Sequence, residues 1–292
     1  KQVAITALAI RFIRGTAAML RGQRETGNVT SAIAGICRGG RLFHPKSRRE
    51  RYKIGLILKG NWVKVSIIIP VYNEQRTIGA VIEAVSALSF DKEIIVVNDG
   101  SSDGTREALR PFESGRPGIR VYHCPVNLGK GSAVRIGFSM AEGDIVTIQD
   151  ADLELDPTDY YKLMQPIVSG EADVVYGSRF LNDGGGTKRR GMLMFYLANR
   201  ALTGFANLLF HGNLTDIETC YKLFRREVLP KLKLRASRFE IEPELTAQVL
   251  KSGHRIVELP ISYKPRTHAE GKKIAWVDGF IAVYTLAKQR LG

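Results

Sequence analysis

The chain has 292 residues, 44% of them apolar, enough for one large or two modest domains with a substantial core. Its net charge of +14 points to a polyanion or membrane partner, but residues 1–62 hold 13 Lys and Arg against two acids, while the other 230 hold 30 against 27. That near-neutral bulk argues against a nucleic-acid enzyme, and Cys37, Cys124 and Cys220 form no C-x-x-C pair and leave one over, which argues against both a disulfide framework and a zinc site and fits a reducing compartment.

Residues 1–20 alternate apolar stretches with Arg11 and Arg14 and contain no acid, the pattern of a basic amphipathic helix or a targeting peptide. No uninterrupted apolar run approaches the roughly 18 residues of a bilayer span. From Val63 the text changes, so the expected organisation is a basic extension, 1–62, followed by one domain, 63–292.

Val65 to Val71 is a short β-branched strand followed by Tyr72-Asn73-Glu74 and a helical pattern to about Leu88. A second strand, Glu93 to Val97, ends in the turn cluster Asn98-Asp99-Gly100-Ser101-Ser102-Asp103-Gly104-Thr105 before another helix. A third, Ile119 to His123, precedes Asn127-Leu128-Gly129-Lys130-Gly131 and a helix through Met140. The fourth, Asp144 to Ile148, runs into Gln149-Asp150-Ala151-Asp152-Leu153-Glu154, and a fifth, Asp173 to Tyr176, ends in Gly177-Ser178-Arg179. Strands alternating with helices imply parallel βαβ units, and each polar cluster sits where ligands bind open α/β sheets, at the carboxyl ends of the strands.

Beyond Arg179 come a glycine loop, Asp183 to Gly186, the basic Lys188-Arg189-Arg190, and a long helix from Met192 to about Phe210 that reads as a core helix or as one lying at a membrane interface. The string Thr215 to Phe224 follows, then a helix containing Glu240, Glu242 and Glu244, a strand Ile256 to Tyr263, and a terminal helix from about Ile274 to Arg290. The segment Lys264 to Lys273 reads as a mobile basic loop.

The carboxylates after the fourth strand carry the chemistry. If the backbone stays extended through Ala151, Asp150 and Asp152 point the same way and reach one hard cation, with Glu154 as a third oxygen donor. A metal held so would grip a diphosphate.

The order Pro70-Val71-Tyr72-Asn73-Glu74, Asn98-Asp99-Gly100-Ser101, Asp150-Ala151-Asp152, Gly177-Ser178-Arg179 resembles family 2 glycosyltransferases of the GT-A fold, in particular dolichyl-phosphate and polyprenyl-phosphate hexose synthases. The resemblance runs from about Val65 to Lys273. It implies an α/β, Rossmann-like and mostly parallel sheet flanked by helices, with amphipathic helices on the acceptor side. It also implies a nucleotide-sugar pocket lined by Pro70, Tyr72 and Glu74, with Asp99 on the base and Gly129 and Lys130 bordering the donor. Asp150 and Asp152 would bind Mg²⁺ or Mn²⁺ across the diphosphate, with Glu154 where the lipid-phosphate enzymes often carry Gln. Asn98 stands where many relatives have a further Asp.

The implied reaction is inverting transfer of a hexose, from a UDP-glucose or GDP-mannose type donor, to a polyprenyl phosphate at the cytoplasmic face of a membrane. Such an acceptor is already anionic and needs positioning by cations more than a base. Arg179 and Arg190 are the candidates for that task, joined by Arg266, Lys272 and Lys273. The alternative is a hydroxyl acceptor on a glycan or glycolipid, which requires a carboxylate base. Asp216 is the candidate there, and capping the following element is its other reading. His268, a lone His in the basic loop, reads as a bystander. Val63-Lys64-Val65-Ser66 resembles the usual start of such enzymes, so residues 1–62 read either as a membrane-binding extension or as a start-site artefact.

Overall fold

The structure, a computed structural model, describes residues 63–114, 116–181, 193–265 and 276–291. Residues 1–62 lie outside this set, as do Arg190, Arg266, His268, Lys272 and Lys273. The elements are β1 (Val65–Val71), α1 (Ile78–Ser86), β2 (Lys92–Asn98), α2 (Thr105–Glu113), β3 (Ile119–His123), α3 (Lys130–Met140) and β4 (Ile145–Ile148). After them come the short α4 (Tyr160–Leu163) and α5 (Gln165–Ser169), then β5 (Val174–Ser178), α6 (Leu193–Phe210), β6 (Lys222–Arg225), α7 (Ile241–Lys251), β7 (Ile256–Pro260) and α8 (Trp276–Leu291).

The seven strands form one sheet in the order β3-β2-β1-β4-β6-β5-β7. β1 pairs in parallel with β2 and β4, β2 with β3, and β5 with β7, whereas β6 is antiparallel to both β4 and β5. The sheet is therefore mostly parallel, as the alternation of strands and helices predicts. The chain winds outward from β1 to β3, then returns to the other side of β1 as β4. The β1/β4 boundary is the topological switch point, where the loops diverge and leave a crevice.

Ile67 to Ile69 of β1 and Ile94 to Val97 of β2 form unbroken apolar runs because both faces are covered there. Ile67, Ile69, Ile94 and Val96 enter one core with Ile78, Val81, Ile82 and Val85 of α1, a helical i, i+3, i+4, i+7 set. Ile68, Ile95 and Val97 point to the opposite face and meet Ala133 of α3 and Val146 of β4. Gly137 lets α3 lie close on the sheet: a Cβ there would stand 2.2 Å from Ile68 Cγ2. Each fully buried Ile contributes about 1.5–3 kcal/mol, so the two faces together fix the register of the strands that carry the crevice.

Three differences from the sequence reading have physical causes. β6 does not stand out as a strand because it has four residues, Lys-Leu-Phe-Arg, with neither an apolar run nor a clean alternation, and its Lys222 is fully buried. α4 and α5 are too short to show a period. The strand expected from Ile256 to Tyr263 ends at Pro260 because its partner β5 ends at Ser178; the Ile261 amide adds one last bond to the Ser178 carbonyl at 3.0 Å, and Tyr263 makes only an isolated bridge with Leu155.

Candidate active site

The loops at the carboxyl ends of β1, β2 and β4 are stitched together. Asn73, in the left-handed region with φ 51°, donates its amide to Ser101 Oγ at 3.0 Å and accepts from the Ser102 amide at 2.8 Å. Thr77 Oγ1 donates to Glu74 Oε2 at 2.9 Å and to the Ala151 carbonyl at 2.8 Å, which ties the β1 loop to the carboxylate loop. Asp99 is buried and accepts from the Leu128 and Gly129 amides at 2.7 and 2.8 Å, so it braces the loop that presents Lys130. Gly129 is required there: its φ is 91°, and a Cβ would stand 2.3 Å from the Ser237 carbonyl oxygen. Pro70, Tyr72 and Glu74 line this half, each partly exposed.

Asp150 leaves β4 at the switch point with its side chain 30% exposed, and Lys130 Nζ lies 2.8 Å from its Oδ1. Burial pushes the Asp150 carboxyl up, but the Lys130 ammonium outweighs it and the net shift is downward. Lys130 also lies 3.1 Å from Glu242 Oε1 of α7. Burial disfavours its charge, yet Asp150 and Glu242 raise its pKa well above the usual lysine range. The other oxygen of Glu242 takes the ammonium of the fully buried Lys222 of β6, which also donates to the carbonyls of Ile217 and Thr219 at 2.9 and 2.5 Å. A continuous chain of charges thus runs from Asp150 through Lys130 and Glu242 to Lys222.

Asp152 accepts the Glu154 amide at 3.1 Å. Glu154 stands beside Tyr263, whose phenol is pushed up by burial and then by that carboxylate, and the Lys264 amide donates to the Glu154 carbonyl at 2.8 Å. Among the described residues, no group of three or more His, Cys, Asp or Glu side chains is gathered to hold a metal ion unaided. Cys220 lies against Asp150, and burial together with that carboxylate pushes its thiol well up, so it stays protonated.

On the far side of β6, Arg179 follows β5 and meets Asp216. Arg179 Nε and Nη2 donate to the two carboxylate oxygens at 2.7 Å each, and the Arg179 amide adds a third bond at 3.1 Å. Asn199 of α6 donates to the same carboxylate at 3.1 Å. Burial alone would raise Asp216, but the guanidinium and these hydrogen bonds hold it below the ordinary carboxylate range. The guanidinium also faces the rings of Phe180 and Tyr263 at 5.5 and 5.3 Å. Glu258 of β7 anchors the segment by accepting from the Thr215 and Asp216 amides at 2.7 and 3.2 Å. Two residues on, Glu218 Oε1 is buried with no hydrogen-bond partner, and burial, then the nearby Glu242, push its carboxyl up to about 7.

The structure therefore brings Pro70, Tyr72, Glu74, Asp99, Gly129, Lys130, Asp150 and Asp152 to adjoining loops of the sheet edge. It places Arg179 with Asp216, and Glu154 beside Tyr263. Glu242, Lys222, Glu258 and Glu218 were not anticipated; the acids of α7 lying among apolar residues were the one signal for Glu242.

The family model for glycosyl transferase family 2 matches residues 66–233, and the chain belongs to that family. Its sheet and flanking helices are those of GT-A glycosyltransferases. The chain is 30% identical over 214 residues to glycosyltransferase AglD of Haloferax volcanii, across 70% of its own length and 34% of that protein's. It is 29% identical to dolichyl-phosphate beta-glucosyltransferase ALG5A of Trichomonas vaginalis over 238 residues, covering 76% of this chain and 71% of that one. It is 27% identical to dodecaprenyl-phosphate galacturonate synthase of Rhizobium johnstonii over 216 residues, covering 72% and 62%. The chain thus spans about a third of the length of the first of these relatives. Among solved structures, glucosyl-3-phosphoglycerate synthase of Mycobacterium tuberculosis with Mn²⁺, UDP and glucosyl-3-phosphoglycerate shares the fold at TM-score 0.61 and 21% identity, covering 85% of this chain and 86% of that one.

Proposed function

We propose that the protein is a metal-dependent inverting glycosyltransferase that moves a hexose from a nucleotide sugar to a polyprenyl phosphate at the cytoplasmic face of a membrane. The observation that carries the reading is the pairing of the Asp150-Lys130 donor edge at the switch point with a cation, Arg179, fixed across the crevice by Asp216. Relatives named for dolichyl-phosphate and dodecaprenyl-phosphate transfer support the acceptor class, and a fold relative bound to UDP and Mn²⁺ supports the donor and the metal.

Asp150 and Asp152 fit a divalent ion, being hard oxygen donors of which Asp150 already faces a cation, and Mg²⁺ ordinarily completes such a set with substrate phosphate oxygens and water. Glu154 is the proposed outlying donor. When bound, the ion neutralises charge that develops on the departing diphosphate. Lys130 adds a point charge on the same side, Pro70, Tyr72 and Glu74 hold the nucleoside, and Asp99 fixes the Gly129–Lys130 loop against it. Arg179 presents a guanidinium whose direction is set by Asp216 and by two aromatic faces, which suits a phosphate nucleophile. Arg190, Arg266, Lys272 and Lys273 lie outside the described residues, and their proposed part in holding the acceptor phosphate rests on the sequence. With both oxygens engaged by Arg179, Asp216 is a positioning residue in this scheme and not a base.

Peripheral membrane contact is part of the proposal. No helix among the described residues is long and apolar enough to cross a membrane. α8, packed on α6 and α7, exposes Val277, Phe280, Ile281, Val283 and Tyr284, and α6 exposes Leu197 and Leu208, which suits contact with a lipid surface.

Incubation with labelled UDP-glucose or GDP-mannose and polyprenyl phosphate tests the reading: a lipid-linked labelled product is expected with one donor, and its absence with a panel of nucleotide sugars rejects the acceptor. A second reading, transfer to a hydroxyl, is favoured by Glu218, whose unpartnered buried oxygen and near-neutral pKa suit a general base. Product formation on a glycan and none on the lipid phosphate would establish it.

A further inference from the structure

Glu242 sits on α7, its side chain 4% exposed, with one oxygen 3.1 Å from Lys130 Nζ and the other on Lys222 Nζ. Lys130 itself, 17% exposed at its side chain, divides its ammonium between Glu242 and Asp150. Lys222 ties the same carboxylate to the carbonyls of Ile217 and Thr219, the segment that follows Asp216. Glu242 therefore touches neither of the aspartates, yet it is the second anion for the lysine that occupies one of them.

We propose that Glu242 is a positioning residue that retains Lys130 at the donor edge when a divalent ion takes over Asp150. This inference rests on the reading of Asp150 as a donor-site metal ligand. The physical reason lies in the cost of the exchange. An ion that recruits Asp150 must displace Lys130, and a largely buried ammonium without an anion is strongly disfavoured. With Glu242 in place the displaced amine keeps a carboxylate and remains near the diphosphate. With a neutral residue there, Lys130 has Asp150 alone and resists displacement.

The test is Mn²⁺ titration of the free, nucleotide-free protein followed by electron paramagnetic resonance. Glu242→Gln weakens Mn²⁺ binding by about tenfold, the lower end for loss of a group acting behind a metal ligand. Lys130→Met removes the competitor and tightens Mn²⁺ binding, and adding Glu242→Gln to Lys130→Met then has no further effect. A merely structural role for Glu242 would lower the melting temperature and leave the Mn²⁺ affinity unmoved. If Glu242→Gln does not fold because Lys222 is left buried and unpaired, the pair Lys222→Met with Glu242→Gln removes both charges and carries the same expectation. Unchanged Mn²⁺ affinity in Glu242→Gln, with tightening in Lys130→Met, overturns the inference and leaves the metal reading standing. No response to Lys130→Met overturns the reading of Asp150 as a metal ligand, and the inference with it.

Discussion

Arg179 and Asp216, 37 residues apart in sequence, are locked in a fork of two 2.7 Å hydrogen bonds, with the carboxylate fully buried and the guanidinium reaching the crevice. Breaking a buried pair by removing one partner costs about 3–5 kcal/mol, because the remaining charge is stranded. Asp216→Ala is expected to destabilise the protein by about that much, measured by urea unfolding. Arg179→Lys keeps the charge but loses the fork, so it should fold and lose turnover, by about 100-fold, the usual loss for one donor at a developing or attacking anion. Normal turnover in Arg179→Lys would remove Arg179 from the acceptor site.

Treatment with a chelator should abolish transfer, and Mg²⁺ or Mn²⁺ should restore it. Asp152→Ala should lower kcat by at least about 100-fold at any metal concentration, because a lost ligand also loses the orientation of the diphosphate. Calorimetric titration with UDP, with and without Mn²⁺, checks the cause: metal-dependent tightening is expected in the unaltered protein and absent in the variant.

Glu218 links stability to pH. Its carboxyl, raised by burial from 4.5 to about 7, holds a proton in the folded state that the unfolded chain releases. Its contribution is fully present below pH about 4.5 and lost as pH rises to about 7. Glu218→Gln, which mimics the protonated form, should match the unaltered protein in thermal melts at pH 4.5 and melt higher at pH 8. Under the lipid-phosphate reading the same variant retains transfer; under the hydroxyl reading it loses it. Identical melting curves at both pH values would show that the carboxyl titrates normally.

Gly129→Ala places a methyl group against the Ser237 carbonyl at a φ of 91°. Strain of this kind costs about 1–3 kcal/mol and displaces the Lys130 loop. The expected signature is a lowered melting temperature together with weaker UDP binding, whereas Gly79→Ala, at a helical position with nothing within 4 Å of its added Cβ, should leave UDP binding unchanged and hold or raise the melting temperature.

Replacing the exposed Phe280 and Tyr284 of α8 with Ser removes two large side chains that are 69% and 66% exposed. Sedimentation with phosphatidylglycerol vesicles should fall several-fold while the melting temperature holds. Unchanged sedimentation would place the lipid contact elsewhere.

The first half of the fold was legible because each strand there is a β-branched run closed by a turn cluster, and both features are local. The placement of its candidate site residues at one sheet edge was legible for the same reason: Asp99, Lys130 and Asp150 each follow a strand whose direction is fixed. The second half was not. β6 is short and charged, and its place between β4 and β5 depends on pairing over 75 residues or more between β4 and β6, which no periodicity encodes. The partnership of Asp216 with Arg179 is likewise a product of packing between segments 37 residues apart. Lys222 illustrates the limit best. Nothing local marks this lysine as buried, yet its ammonium is satisfied by two carbonyls and Glu242 and lies wholly inside.

The reversed strand also has a consequence for how such a molecule diversifies. β6 divides the sheet into a parallel half whose edge carries Asp150 and a half that carries Arg179 and Asp216, and each half keeps its own register. The segments after β5 thus form a cassette on which the mutual pairings of β1, β2, β3 and β4 do not depend. The trio Lys130, Glu242 and Lys222 crosses the seam, so a transplanted cassette must bring Glu242 and Lys222 along with it or strand a buried charge.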